Sequence, residues 1–93
     1  MPQSIRTQIK IINARGLHAR AAAKLVATAS RFVADITVTR NQDIANAKSI
    51  LGLMMLAASQ GSRLELTATG SDADAAIAAI KALTEAGFDE TEA

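Results

Sequence analysis

Three short stretches of this chain alternate between apolar and polar residues, and they limit what it can fold into. In residues 5–12, Ile5, Ile9 and Ile11 share one face while Arg6, Gln8 and Lys10 take the other. Ile36 and Val38 oppose Asp35, Thr37 and Thr39, and Leu64, Leu66 and Ala68 oppose Arg63, Glu65 and Thr67. A period of two with one polar face describes strands of a sheet covered on one side only. Sheets wetted on one face are usually antiparallel. Asn41, Gln42 and Asp43 supply a turn after the second strand, and Ile44 and Ala45 a short further strand.

Helical stripes lie between these stretches. Ala22, Leu25, Val26 and Ala29 fall at i, i+3, i+4 and i+7, which predicts a helix over about 19–32. The middle of the chain predicts a helix over about 49–59. Ser71 to Asp74 resembles a capping box with Asp in place of the usual Glu or Gln. Behind it Ala73, Ala76, Ile77, Ile80 and Leu83 form a stripe. Gly87 suits a left-handed stop, with Phe88 folding back and an acidic tail over about 89–93. The order β-α-β-β-α-β-α in 93 residues makes a single domain, residues 1–93. The expected fold class is α+β, an open-faced two-layer sandwich with three helices on one face of a four-stranded antiparallel sheet. The length excludes large barrels and doubly wound dinucleotide folds.

Composition narrows the function. Ten Lys and Arg stand against nine Asp and Glu, a net charge of +1, so no basic excess drives binding to phosphate backbones. Two Phe and no Tyr or Trp leave no stacking platform for bases. A stand-alone RNA-binding domain, and nucleic acid generally, is disfavoured. Absence of cysteine removes disulfides and thiolate metal sites and fits a reducing cytosol. Residues 1–6 show no signal-peptide pattern. The longest apolar run, Ile50 to Ala58, is broken by Gly52 and is too short to insert in a bilayer. A cytoplasmic location is expected.

The single histidine, His18, follows a strand and a glycine turn where a helix begins. Helix N-termini carry unpaired N–H groups and partial positive charge, which favours anions. Arg20 adds a fixed cation and a donor fork suited to phosphate oxygens. A neutral imidazole there is a nucleophile. The helix amides from Ala19 to Ala21 could receive the oxygens of a phosphoryl group on it. The competing reading makes His18 a cap or an ordinary surface residue. No second His or Cys exists to share a metal, and no Gly-x-Ser-x-Gly turn supports a triad. The middle helix is apolar nearly all round, so part of it faces water as a partner surface or the whole helix is sunk deeper than its neighbours.

These residues carry a resemblance. Gly16-Leu17-His18-Ala19-Arg20 resembles the phosphorylation motif of HPr, the histidine phosphocarrier of the phosphoenolpyruvate-dependent phosphotransferase system. Ala47-Lys48-Ser49-Ile50 and Gln60-Gly61 extend the likeness over nearly the whole chain, and the end, Ala82-Leu83 through Glu90, is similar to the nitrogen-related NPr branch. The resemblance implies that enzyme I loads His18 on Nδ1 and that His18 passes the group to a histidine of an enzyme IIA, of sugar or nitrogen type. Arg20 then steadies the phosphate. It implies docking of both partners on Ile50, Leu51 and Met54, with Leu53 and Leu56 turned to the core and Arg20, Lys24 and Lys48 nearby. Ser49 reads as the N-cap of the middle helix. The resemblance adds phosphorylation of Ser49 by an HPr kinase/phosphorylase. Such a protein needs no cofactor and is a covalent carrier rather than a stand-alone enzyme; a transient docking surface argues for a monomer. The alternative is a non-catalytic binding module that uses the middle helix. One departure stands out: the family has Pro after the Arg, and this chain has Ala21.

Overall fold

The computed structural model describes residues 4–90. Strands β1 (Ser4–Lys10), β2 (Asp35–Arg40), β3 (Asp43–Asn46) and β4 (Arg63–Thr69) form one sheet in the order β1-β4-β2-β3, with every neighbouring pair antiparallel. The register puts like with like. Ile5 faces Ala68, Ile9 faces Leu64, Ile36 faces Ala68 and Val38 faces Leu66. These apolar pairs line the covered side, while Arg6, Gln8, Thr37, Thr39, Glu65 and Thr67 occupy the other. Arg6 Nε lies 3.7 Å from Glu65 Oε1 on the wet face. Such an exposed pair contributes about 1 kcal/mol at most. Asn41 and Gln42 close the β2–β3 hairpin in two residues, Asn41 taking φ 57°.

Helix α1 (Ala19–Ala29) buries Ala21, Ala22, Leu25 and Ala29. Small side chains on this face allow a close approach to the two other helices. The helix stops three residues before the predicted end. After Ala29 the amides of Arg31 and Phe32 turn back to Thr28 and Ala29 at i−3, tightening the chain out of α geometry. Helix α2 (Ile50–Met55) is also shorter than predicted. Leu56 and Ala57 donate to carbonyls three residues back, and Ala57 itself turns left-handed at φ 53°. No glycine marks that stop.

Helix α3 (Ala73–Glu85) buries Ala73, Ala76, Ile80 and Thr84 against the sheet. The predicted capping box does not form. The N-cap is Asp72, one residue on, and its side chain makes no cap bond. The carboxylate instead accepts from the amides of Val33 and Ala34, both at 2.9 Å, tying the α1–β2 loop to the start of α3. Gly87 does end the helix left-handed, at φ 63°, and the left-handed turn continues over Gly87–Asp89. Phe88 folds back with no exposed surface. Burial of a ring this size anchors the C-terminal turn with about 3–5 kcal/mol. Among the described residues no helix is long and apolar enough to cross a membrane.

Candidate functional site

The His18 loop is built between β1, α1 and the segment after α2. Ile11 is buried, and its amide and carbonyl pair with Ser62 O and Gly61 N at 2.9 and 2.7 Å. The chain then turns at Asn13–Gly16, where Gly16 N donates to Asn13 O at 3.1 Å and Asn13 Nδ2 donates to Gly16 O at 2.8 Å. Gly16 sits at φ 69°, and a Cβ there would stand 2.5 Å from Ala58 O. Only glycine lets the loop press this closely on the backbone after α2. Leu17 N then donates to Ala58 O at 2.8 Å, and Leu17 is buried. The chain is thereby aimed into α1 with His18 at the N-cap.

His18 has extended backbone, and its carbonyl accepts from Ala22 N at 2.8 Å to open the helix. Its side chain is one-quarter exposed. Nδ1 accepts from Arg20 N–H at 3.3 Å. On the other side of the ring, Nε2–H donates to Glu90 Oε2. The two partners fix the tautomer. An amide can only donate and a carboxylate can only accept, so the hydrogen is on Nε2 and the lone pair on Nδ1. Glu90 is itself held: its Oε1 accepts from Asn13 Nδ2 at 2.9 Å, and Asn13 is buried. The hydrogen bonds from His18 and then from Asn13 keep the Glu90 carboxyl below its ordinary value against the opposing effect of burial, with smaller help from His18 whenever its ring is protonated and from the charge of Arg15. Lys24 Nζ donates to Phe88 O at 2.6 Å and ties the C-terminal turn to α1.

The other residues singled out from the sequence fall as follows. Ala19 and Arg20 are exposed at the helix start, while Ala21 is fully buried. Ser49 is the N-cap of α2, its Oγ accepting from Gly52 N at 3.0 Å. Lys48 reaches back from the same turn to Phe32 O at 2.8 Å. On α2, Leu53 is buried, and Leu56 just beyond it, whereas Ile50, Leu51 and Met54 are exposed, Leu51 to 69%. The patch is larger than expected, because Met55 is exposed to 74% as well. Helix α2 packs on α1, the helix that His18 opens. Sequence reasoning misses two residues of the site, Asn13 and Glu90, the latter placed only in an acidic tail. Nothing local marks Glu90, since its contact with His18 spans 72 residues of chain. Thr91, Glu92 and Ala93 of that tail lie outside the described residues.

The chain resembles known proteins over nearly its whole length. Residues 5–86 match the family model for the "PTS HPr component phosphorylation site". The chain is 49% identical over 86 residues to phosphocarrier protein NPr of Shewanella violacea, covering 92% of this chain and 94% of that protein. It is 46% identical over 88 residues to phosphocarrier protein HPr of Neisseria meningitidis, covering 95% and 99%. The crystal structure of an HPr from Thermoanaerobacter tengcongensis superposes with a TM-score of 0.90 at 44% identity, over 95% of this chain and 99% of that one. A match of this extent, which takes in the loop that carries His18, places the chain in the HPr family of phosphocarriers of the phosphotransferase system.

Proposed function

We propose that His18 is the covalent phosphoryl site, loaded by enzyme I at the expense of phosphoenolpyruvate and unloaded onto a histidine of an enzyme IIA, of sugar or nitrogen type. The observation that carries this reading is the ring itself: partly exposed, with its lone pair on Nδ1 and its hydrogen on Nε2. Capping and carrying are compatible roles. The 3.3 Å bond from Arg20 N–H to Nδ1 is long and easily given up. When Nδ1 takes a phosphoryl group, the released amide turns to a phosphoryl oxygen, and the exposed Arg20 side chain supplies a cation beside it. The Ala19 amide shares in this at the exposed end of the helix. Ala21 is sealed, so its amide contributes only if the first turn opens.

Ile50, Leu51 and Met54 serve as the docking surface for both partners, with Met55 extending it and Arg20, Lys24 and Lys48 meeting acidic partner surfaces. Lys24 and Lys48 already hold backbone carbonyls, so their charge is offered from fixed positions. Transient docking of this kind suits a cytoplasmic monomer, which light scattering tests. Ser49 is a site for an HPr kinase/phosphorylase. A phosphate there keeps favourable company with the start of α2 and puts charge into the docking patch, slowing loading by enzyme I. Incubation with ATP and that kinase, followed by a search for phosphoserine, decides the point. The carrier role itself is tested by offering the chain to enzyme I, Mg²⁺ and phosphoenolpyruvate. One acid-labile phosphoryl group is expected on the parent and none on His18→Ala.

A further inference from the structure

Glu90 is held far more firmly than a tail residue needs. Phe88 has no exposed surface, its carbonyl accepts from Lys24 Nζ, and Asp89 N and Glu90 N each bond back three residues at 3.1 Å. Gly87, Phe88 and Asp89 run through φ values of 63°, 57° and 59° in succession. Non-glycine residues rarely adopt that conformation, and it persists only where the surroundings impose it. Asn13 gives its amide hydrogens to Gly16 O and Glu90 Oε1 and leaves its own Oδ1 buried without a partner among the described residues. A buried acceptor left unpaired is costly, so the orientation of the carboxylate is being imposed from several sides. All these constraints converge on one contact, Glu90 Oε2 with His18 Nε2. The Glu90 side chain is 14% exposed.

We infer that Glu90 is a positioning residue for His18: it holds the Nε2–H, which keeps the Nδ1 lone pair turned to the exposed side, and it balances the charge the ring acquires on loading. The inference rests on the carrier reading above. In the transfer, the Nδ1 lone pair forms the bond to phosphorus, and the bond from phosphorus to the donor group breaks with its electron pair leaving on the donor. No proton moves. Nε2 keeps its hydrogen, and the ring passes from neutral to cationic against a carboxylate already in place. Unloading is the reverse, with the N–P pair returning to Nδ1. The same contact serves both directions, as a carrier requires.

The test uses the full chain with ¹⁵N-labelled histidine. Long-range ¹H–¹⁵N NMR on the unphosphorylated protein, at a pH where the ring is neutral, reads the tautomer directly. The parent is expected to show one fixed Nε2–H form with well-separated ring nitrogens. In Glu90→Ala the two nitrogen signals move towards each other as the ring exchanges between forms, and loading by enzyme I slows about tenfold. Glu90→Gln offers one acceptor oxygen to two donors, His18 Nε2–H and Asn13 Nδ2–H, so both its ring signals and its loading rate fall between those of the parent and Glu90→Ala. A merely structural role lowers the melting temperature of Glu90→Ala and leaves the ring signals of the folded protein alone, which overturns the inference. So does a Glu90→Ala chain that loads at the parent rate or faster, the parent being competent. A parent that accepts no phosphoryl group overturns the carrier reading, and the inference with it.

Discussion

Replacing Gly16 by alanine probes how the His18 loop is seated. Two separate costs arise. The residue sits at φ 69°, where a side chain costs about 1–2 kcal/mol. The new Cβ also meets Ala58 O at 2.5 Å and Ser59 Cα at 2.9 Å, both backbone atoms that cannot rotate away. Relieving such overpacking costs about 1–3 kcal/mol more, so the total is about 2–5 kcal/mol. For a domain of this size each kcal/mol lowers Tm by about 4–8 °C, and the expected fall is about 8–40 °C. Gly61→Ala is the internal control. Gly61 has φ 91°, but nothing lies within 4 Å of the place its Cβ would take, so only the conformational cost applies. Calorimetry on both variants separates clash from strain. Gly16→Ala also pushes Leu17 N from Ala58 O and displaces His18, so its loading by enzyme I falls at temperatures where it remains folded. Equal melting temperatures for the two variants refute the claim that contact with the Ala58 backbone positions the loop.

Three further outcomes follow from particular residues. Ala21→Pro restores the residue typical of the family at the third position of α1, before the first helical N–H bond from Ala22, so it removes no intrahelical bond. A gain of about 0.4–1 kcal/mol is expected in thermal melts, and a lower Tm would show that the sealed position has no room for the ring. Leu51→Ser touches a side chain that is 69% exposed, so stability changes by under about 0.5 kcal/mol while the rate of loading by enzyme I drops; an unchanged rate removes α2 from the docking surface. The Glu90 carboxyl is held below its ordinary value in the folded state, so its stabilising contribution is complete above the unfolded value and is lost as pH falls through the folded one. Melting temperatures below about pH 5 should therefore decline more steeply for the parent than for Glu90→Gln, and parallel declines contradict the contact with His18.

The strands were legible because an open-faced sheet forces period two on the sequence: Leu64, Leu66 and Ala68 read as a buried face and are one. Helix ends were less so. Ala57 turns left-handed without a glycine, and Asp72 lends its carboxylate to Val33 and Ala34, a tertiary use that no local motif announces. His18 was legible as a candidate because its chemistry depends on neighbours in sequence, a glycine turn before it and a helix after. Its partner Glu90 was not, because α3 and the buried Phe88 bring the two together only once the core has formed. The exposed half of α2 could be anticipated from an apolar run too broad for one buried face, although Met55 was outside the expected patch.

Mass spectrometry of the intact chain after exposure to enzyme I, Mg²⁺ and phosphoenolpyruvate tests the central claim most directly. The account predicts the gain of a single phosphoryl group, lost in acid and absent from His18→Ala. A parent chain that stays unmodified beside a competent donor, or one that is modified equally without His18, contradicts it.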